Sequence, residues 1–222
     1  PFIDPQTRVF HIYTLDGHGC NVFGTAQCAG RSISWAQALF EITSLRSFDS
    51  LAEQVEPGAG GLIYLPYLEG ERSPVFDALA QGVFFGMNSM HKREHFTRAV
   101  LEGVACGLSQ ILDTFREREQ IDTLRIIGGG AKSRLWKQII ADVCNVKLLE
   151  VSTFSDSATS LGAAAAAGVG IGLFKSLPEA VRHISLSGTV EPSENAEELY
   201  GLTKKRYAML YPALKEAFHT RA

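Results

Sequence analysis

The sequence predicts an α/β domain, and three observations carry that prediction. Apolar runs at 124–127 and 146–151 flank a segment of helical spacing at 133–144, which together read as a strand–helix–strand unit. The two strands of such a unit are expected to be parallel and joined by a right-handed crossover. Residues 92 to 117 place Phe96, Val100, Leu101, Val104, Leu108, Ile111, Leu112 and Phe115 on one sustained helical face. Finally, 222 residues with 45% hydrophobic and 20% charged side chains are enough for one large core.

The remaining elements follow in order. Residues 9–15 and 20–28 read as two strands joined at Asp16-Gly17-His18-Gly19, because Asp-Gly supplies the positive backbone angles of a tight hairpin. A helix is expected from Ser32, with Ile33, Trp35, Ala36, Leu39, Phe40 and Ile42 at helical spacing, and a second short one over 49–55, with Phe48 or Asp49 near its start. Residues 62–66, apolar and bounded by Gly60-Gly61 and Pro66, fit a buried strand. The stretch 67–88 reads as a long structured loop holding one short strand, and loops of that length are usually functional. Asp156 or Ser157 can cap a helix running through the alanines to Gly168, and further helices are expected over 177–184 and 194–217. No internal repeat or low-complexity linker interrupts the chain, which reads as one domain over 1–222. Its opening at Pro1, in a loop entering a strand, suggests part of a larger protein.

Composition excludes several classes. A net charge of −3 with interleaved signs provides no basic stripe, so no nucleic acid partner is expected. The longest apolar run, Ala163 to Gly172, is too short and too weakly hydrophobic to span a bilayer, so no membrane partner is expected either. Cys20, Cys28, Cys106 and Cys144 lie far apart with no CxxC pair, which fits reduced, partly buried thiols in a cytoplasmic protein. The six histidines lack ligand spacing, no metal ligand is assigned, and Lys204-Lys205-Arg206 reads as the exposed face of the last helix.

Three segments carry the chemistry. In IIGGGAKSRLWKQIIADV, Ile126 to Val143, a strand ends in three glycines and a helix follows, with Ser133 able to cap it. Backbone without Cβ atoms can lie against a flat or charged ligand, and the helix start offers unpaired N–H groups. A ligand-free tight turn explains the glycines equally well. The spacing matches neither GxGxxG nor a P-loop. In GVFFGMNSMHKREHFTRAVLEG, Gly82 to Gly103, a strand between glycines leads into the long helix, and Glu102 there is expected on its solvated flank. In DSATSLGAAAAAGVGIG, Asp156 to Gly172, small residues on every face suit a tightly packed helix crossing first and ligand approach second.

Taken together these segments resemble a known family. Gly82-x-Phe84-x-Gly86-Met87, then seven residues, then His95-Phe96-x-x-Ala99-Val100-Leu101-Glu102 resembles the carboxy-terminal signature of the FGGY carbohydrate kinases. GGGAKSRLW is similar to their adenosine-contacting turn, LGAAAAAGVGIG to the small-residue helix after it, and AGRSISW to their AGxSIxW stretch. PYLEGERSP and AVLEGVA are most similar to the xylulose kinase branch. Arg31 departs from the small residue common there, and Gln81 stands where many relatives have Arg.

The resemblance implies a ribonuclease H-like, or actin-like ATPase, domain: a mixed sheet flanked by helices, with its first strand or strands absent from this chain. It implies ATP as co-substrate, with Mg2+, and phosphorylation of a sugar such as a pentulose in a cleft shared with an amino-terminal domain. Gly129, Gly130 and Ala131 would lie against the adenosine, and Ser133 and Arg134 would follow where an adenine contact is often placed. Gly30 would approach the phosphates, and Ser34 would reach the nucleotide. The catalytic Asp and a Thr-Gly-Thr hairpin are expected before the region matching Val9, so no catalytic residue is assigned within the chain and the isolated chain is expected to be inactive. Asp4 and Asp16 lie in the wrong local context to serve as that base. A homodimer is left open. Two other readings stand beside this one: a non-catalytic nucleotide-binding regulatory module of the same ATPase superfamily, and a Rossmann-type cofactor domain.

Overall fold

The computed structural model describes residues 3–14, 17–151, 158–182 and 184–220. Strands β1 (Phe10–Tyr13) and β2 (Cys20–Phe23) form the expected antiparallel hairpin, with Phe10 opposite Phe23. Helix α1 (Ala29–Leu39) starts three residues before Ser32, whose hydroxyl bonds back to the Cys28 carbonyl. Helix α2 spans Leu45–Ala52 rather than 49–55. Ser44 caps it by accepting the Ser47 N–H at 3.1 Å, which fixes the start four residues early. Strands β3 (Ile63–Leu65) and β4 (Val83–Phe85) pair antiparallel across the long loop, and α3 (Arg93–Arg116) follows as expected.

The strand–helix–strand unit is β5 (Thr123–Ile126), α4 (Arg134–Cys144) and β6 (Lys147–Val151), its strands parallel with Leu124 opposite Leu148. Helices α5 (Ala158–Gly170) and α6 (Leu177–Ala180) come next, α6 ending four residues short of expectation. The expected cap at Asp156 or Ser157, the turn residue Asp16, and His183 lie outside the described residues. Strand β7 (Leu186–Val190) was not anticipated. It pairs antiparallel with β6 and completes a three-stranded mixed sheet. Helix α7 (Ala196–His219) closes the domain.

Helix α3 is the pillar of the core. Its Val100, Leu101 and Val104 pack with Tyr64 and Leu65 of β3, Ile139 and Val143 of α4, Leu148 of β6, and Tyr200 and Tyr207 of α7. Each of these is almost wholly withdrawn from water, which is the main favourable contribution to folding. At Gly103 the helix touches β3: a Cβ there would lie 2.2 Å from the Tyr64 carbonyl oxygen.

Glu102, expected on a solvated flank, is instead buried, at 1% exposure. It accepts Arg98 Nε at 2.6 Å and the Gly58 N–H at 2.9 Å, and Arg98 Nη2 donates to the Tyr200 hydroxyl at 2.7 Å. Burial pushes the Glu102 carboxyl upward while the adjoining guanidinium pulls it back. The pair ties α3 to α7 and to the turn before β3.

Two carboxylates organise the loop of residues 66–80. Glu71 accepts the N–H groups of Gln27 and Arg72, and Asp77 accepts the Leu79 N–H. Asp77 also receives Tyr211 Oη at 3.0 Å and His219 Nε2 at 2.8 Å from α7. Arg206 is likewise more than an exposed charge, because it donates to the Gly61 carbonyl at 3.2 Å and sits 5.7 Å over the Phe85 ring. Helix α5 does not form the expected tight crossing: only Ala165 and Gly168 are buried, and Gly168 serves contact with Phe174. Cys28, Cys106 and Cys144 are buried and all four cysteines are free thiols.

At the other end, Arg8 bonds Asp4 at 2.8 Å and Glu117 at 2.7 Å, fastening the first segment to the end of α3. The hydrogen bond from Arg8 holds the Asp4 carboxyl at about 2, below its ordinary 3.8. A depressed folded-state value means the stabilisation is complete above pH 3.8 and lost as pH falls toward 2. Thermal melts should therefore show Asp4→Asn clearly less stable than the parent near neutrality, with the gap closing through that window. A gap independent of pH would show that the charge of Asp4 is not what matters.

Candidate functional site

The triple-glycine bend joins β5 to α4. Gly128 takes φ 80°, a conformation that favours glycine, and residues 129–132 form one 3-10 turn. Ser133 is buried and caps α4, accepting the Trp136 N–H at 2.9 Å. Trp136 is fixed by donating Nε1–H to the Leu101 carbonyl at 3.2 Å. Its indole lies against Gly130, where a Cβ would come within 2.9 Å of the ring, whereas a Cβ on Gly129 would meet nothing within 4 Å. The bend therefore rests on Trp136 with Gly129 uncovered.

The first turn of α1 faces this bend. Cys28 precedes the helix without a side-chain cap, no acidic residue occupies the first turn, and a Cβ on Gly30 would meet nothing within 4 Å. The first N–H groups of a helix have no acceptor within it. Between bend and helix lies a cleft of about 580 Å³. Gly30, Ser34, Gly129 and Gly130 line it, with Ile33, Leu108, Trp136 and Ile140 among its apolar walls. Its volume falls in the range of small-molecule sites.

A second cleft of about 570 Å³ adjoins the first, sharing Ser34, and is bounded by Arg31, Trp35, Leu68 and Glu69. Arg31 Nη2 and Glu69 Oε1 are 2.5 Å apart at its edge, both partly exposed. Trp35 stacks parallel to Tyr64 with centroids 6.0 Å apart. A third cleft, about 450 Å³ between α5 and α6, presents small apolar residues with Lys175 and Ser176 and involves no part of the bend.

Of the residues singled out from sequence, Gly30, Ser34, Gly129 and Gly130 are brought together around one cleft. Ala131, Ser133 and Arg134 lie outside its lining, with the Ser133 hydroxyl engaged in the α4 cap. Sequence reasoning missed Leu108, Trp136 and Ile140. Trp136 and Ile140 stand four apart on α4 beside the glycines, a detectable signal, but Leu108 looks like any other core position of a long helix. Among the described residues no group of three His, Cys, Asp or Glu side chains could hold a metal ion, and no helix is long and apolar enough to cross a membrane.

Solved structures share this architecture. The xylulose kinase of Lactobacillus acidophilus, in a ligand-bound form, superposes with a TM-score of 0.86 at 27% identity, over 99% of this chain and 44% of that one. Gluconate kinase from the same organism gives 0.85, also at 27% identity and over the same shares. The fold is thus that of the actin-like ATPase domains of sugar kinases. The chain belongs to the FGGY family of carbohydrate kinases, whose C-terminal domain matches residues 12–171. Xylulose kinase of Staphylococcus epidermidis is 35% identical over 196 residues, 87% of this chain, and this chain spans 39% of the length of that relative.

Proposed function

We propose that this chain is the nucleotide-binding half of an ATP-dependent sugar kinase, and that the whole protein phosphorylates a hydroxyl of a pentulose such as xylulose. The observation that supports this most is the cleft itself, where two Cβ-free surfaces, Gly30 and Gly129, face each other across an apolar slot. Adenosine would lie on the bend at Gly129 and Gly130, with Trp136 beneath and Ile33 and Ile140 as walls. Ala131 and Arg134 would flank it, and Ser133 would hold the bend in shape. The phosphates would run toward Gly30 and Ser34, where the unpaired N–H groups and positive end of α1 favour negative charge. The likeness to xylulose kinases supports the pentulose, and the gluconate kinase neighbour shows the same architecture in an enzyme named for another open-chain acceptor.

In the reaction, the sugar hydroxyl oxygen bonds to the γ-phosphorus as the bond from that phosphorus to the β-bridging oxygen breaks, releasing ADP. Among the described residues no carboxylate lines the nucleotide cleft, and the base that takes the hydroxyl proton is proposed to be an aspartate in the partner half of the kinase. The described residues offer no cage for Mg2+, and no role for the ion is assigned to this chain.

The test is Gly129→Val in the full-length kinase. A Cβ there meets nothing within 4 Å, so a branched side chain would stand in the nucleoside position; ATP affinity should fall by roughly 100-fold while sugar affinity and melting temperature stay near the parent values. Unchanged ATP affinity by titration calorimetry would refute the placement.

A further inference from the structure

Among the described residues the nucleotide cleft has no charged side chain in its lining, although an ATP molecule brings several negative charges. Across Ser34, the adjoining cleft brings in the cation Arg31. Arg31 follows Gly30 directly in the first turn of α1, so its backbone sits where the two clefts meet. Its side chain is 66% exposed and pairs with Glu69, itself 44% exposed. An exposed pair of this kind contributes little to stability and costs little to open. A guanidinium also suits phosphate, since its fork matches two phosphate oxygens at once.

Resting on the nucleotide reading above, we propose that Arg31 binds the terminal phosphates of the nucleotide and that Glu69 is its resting partner, displaced when a triphosphate arrives. The exchange substitutes one anion for another on the same guanidinium, and the displaced Glu69 carboxylate, 44% exposed, is left to water. It assigns the second cleft to the phosphoryl end of the ligand and Ser34 to the boundary between nucleoside and phosphates. The selectivity it predicts is for the number of phosphates, because adenosine alone would not extend past Ser34.

The experiment titrates the full-length kinase and three variants with adenosine, ADP and ATP by calorimetry at fixed ionic strength. Arg31→Ala should weaken ATP by roughly 10- to 100-fold, ADP by less, and adenosine not at all. Arg31→Lys should recover part of the loss, keeping the charge but not the fork. Glu69→Gln should tighten ATP several-fold by removing the competing carboxylate, and leave adenosine unchanged. Both positions are exposed, so melting temperatures should match the parent. Equal effects of Arg31→Ala on all three ligands, or none on any, would overturn the role of Arg31 while leaving the nucleotide cleft standing. Failure of the unaltered kinase to bind adenosine or ATP, or unimpaired adenosine binding in Gly129→Val, would overturn the underlying reading and this inference with it.

Discussion

Gly103→Ala is expected to destabilise the domain by about 3 kcal/mol or more, a large effect for one methyl group. The added carbon would stand 2.2 Å from the Tyr64 carbonyl oxygen and 3.0 Å from its carbonyl carbon. These are backbone atoms of a buried strand, so they cannot rotate aside as a side-chain tip can. Either α3 or β3 must move, and both are packed through the same core. Gly107, one turn further along α3, is the matched control: its added carbon would meet the Tyr207 hydroxyl at 3.2 Å. There the gain in helix propensity from Ala, about 1 kcal/mol, works against a mild contact, and Gly107→Ala should stay within roughly 1 kcal/mol of the parent. Urea denaturation of both variants checks the contrast. Similar stabilities for the two would mean that α3 and β3 do not approach as closely as the structure has them.

The second large effect is expected at Glu102. Glu102→Ala leaves Arg98 buried with, among the described residues, only the Tyr200 hydroxyl as partner, and strips the Gly58 N–H of its acceptor. Breaking a buried pair from one side typically costs about 3–5 kcal/mol, because the desolvated charge that remains is uncompensated. Replacing both partners together, Arg98→Met with Glu102→Leu, should recover most of that loss, since an apolar pair of similar volume has no charge to desolvate. A four-way comparison of the parent, Arg98→Met, Glu102→Leu and the double variant in urea gives the coupling directly. A loss below about 1 kcal/mol in Glu102→Ala would place the carboxylate in water after all.

The strand–helix–strand unit and the long helix were legible because their signals are local. Periodicity over 93–116 fixes α3, and the run from Leu124 through the glycines to Val151 fixes β5, α4 and β6. Strand β7 was not legible. LSGTV carries a glycine at its centre, is half exposed along much of its length, and owes its conformation to pairing with β6 rather than to its own pattern. Glu102 was misread for a related reason: a glutamate in a helix is solvated unless a cation is buried with it, and Arg98 one turn earlier becomes that partner only once Tyr200, about 100 residues away, closes over it. In the candidate site the glycines were legible because a missing Cβ is visible in the letters themselves. The apolar walls were not, since Leu108 differs from its core neighbours only in facing a cleft.

The grip of α7 on Asp77 has a consequence for the whole molecule. Tyr211 and His219, near the end of the chain, close on a carboxylate within residues 66–80, and Leu68 and Glu69 of that same stretch form one bank of the cleft beside Arg31. Loosening of the last turns of α7 would therefore not remain a local event. It would be felt some 140 residues earlier, as slack in the wall against which the phosphate-bearing end of a ligand is proposed to rest.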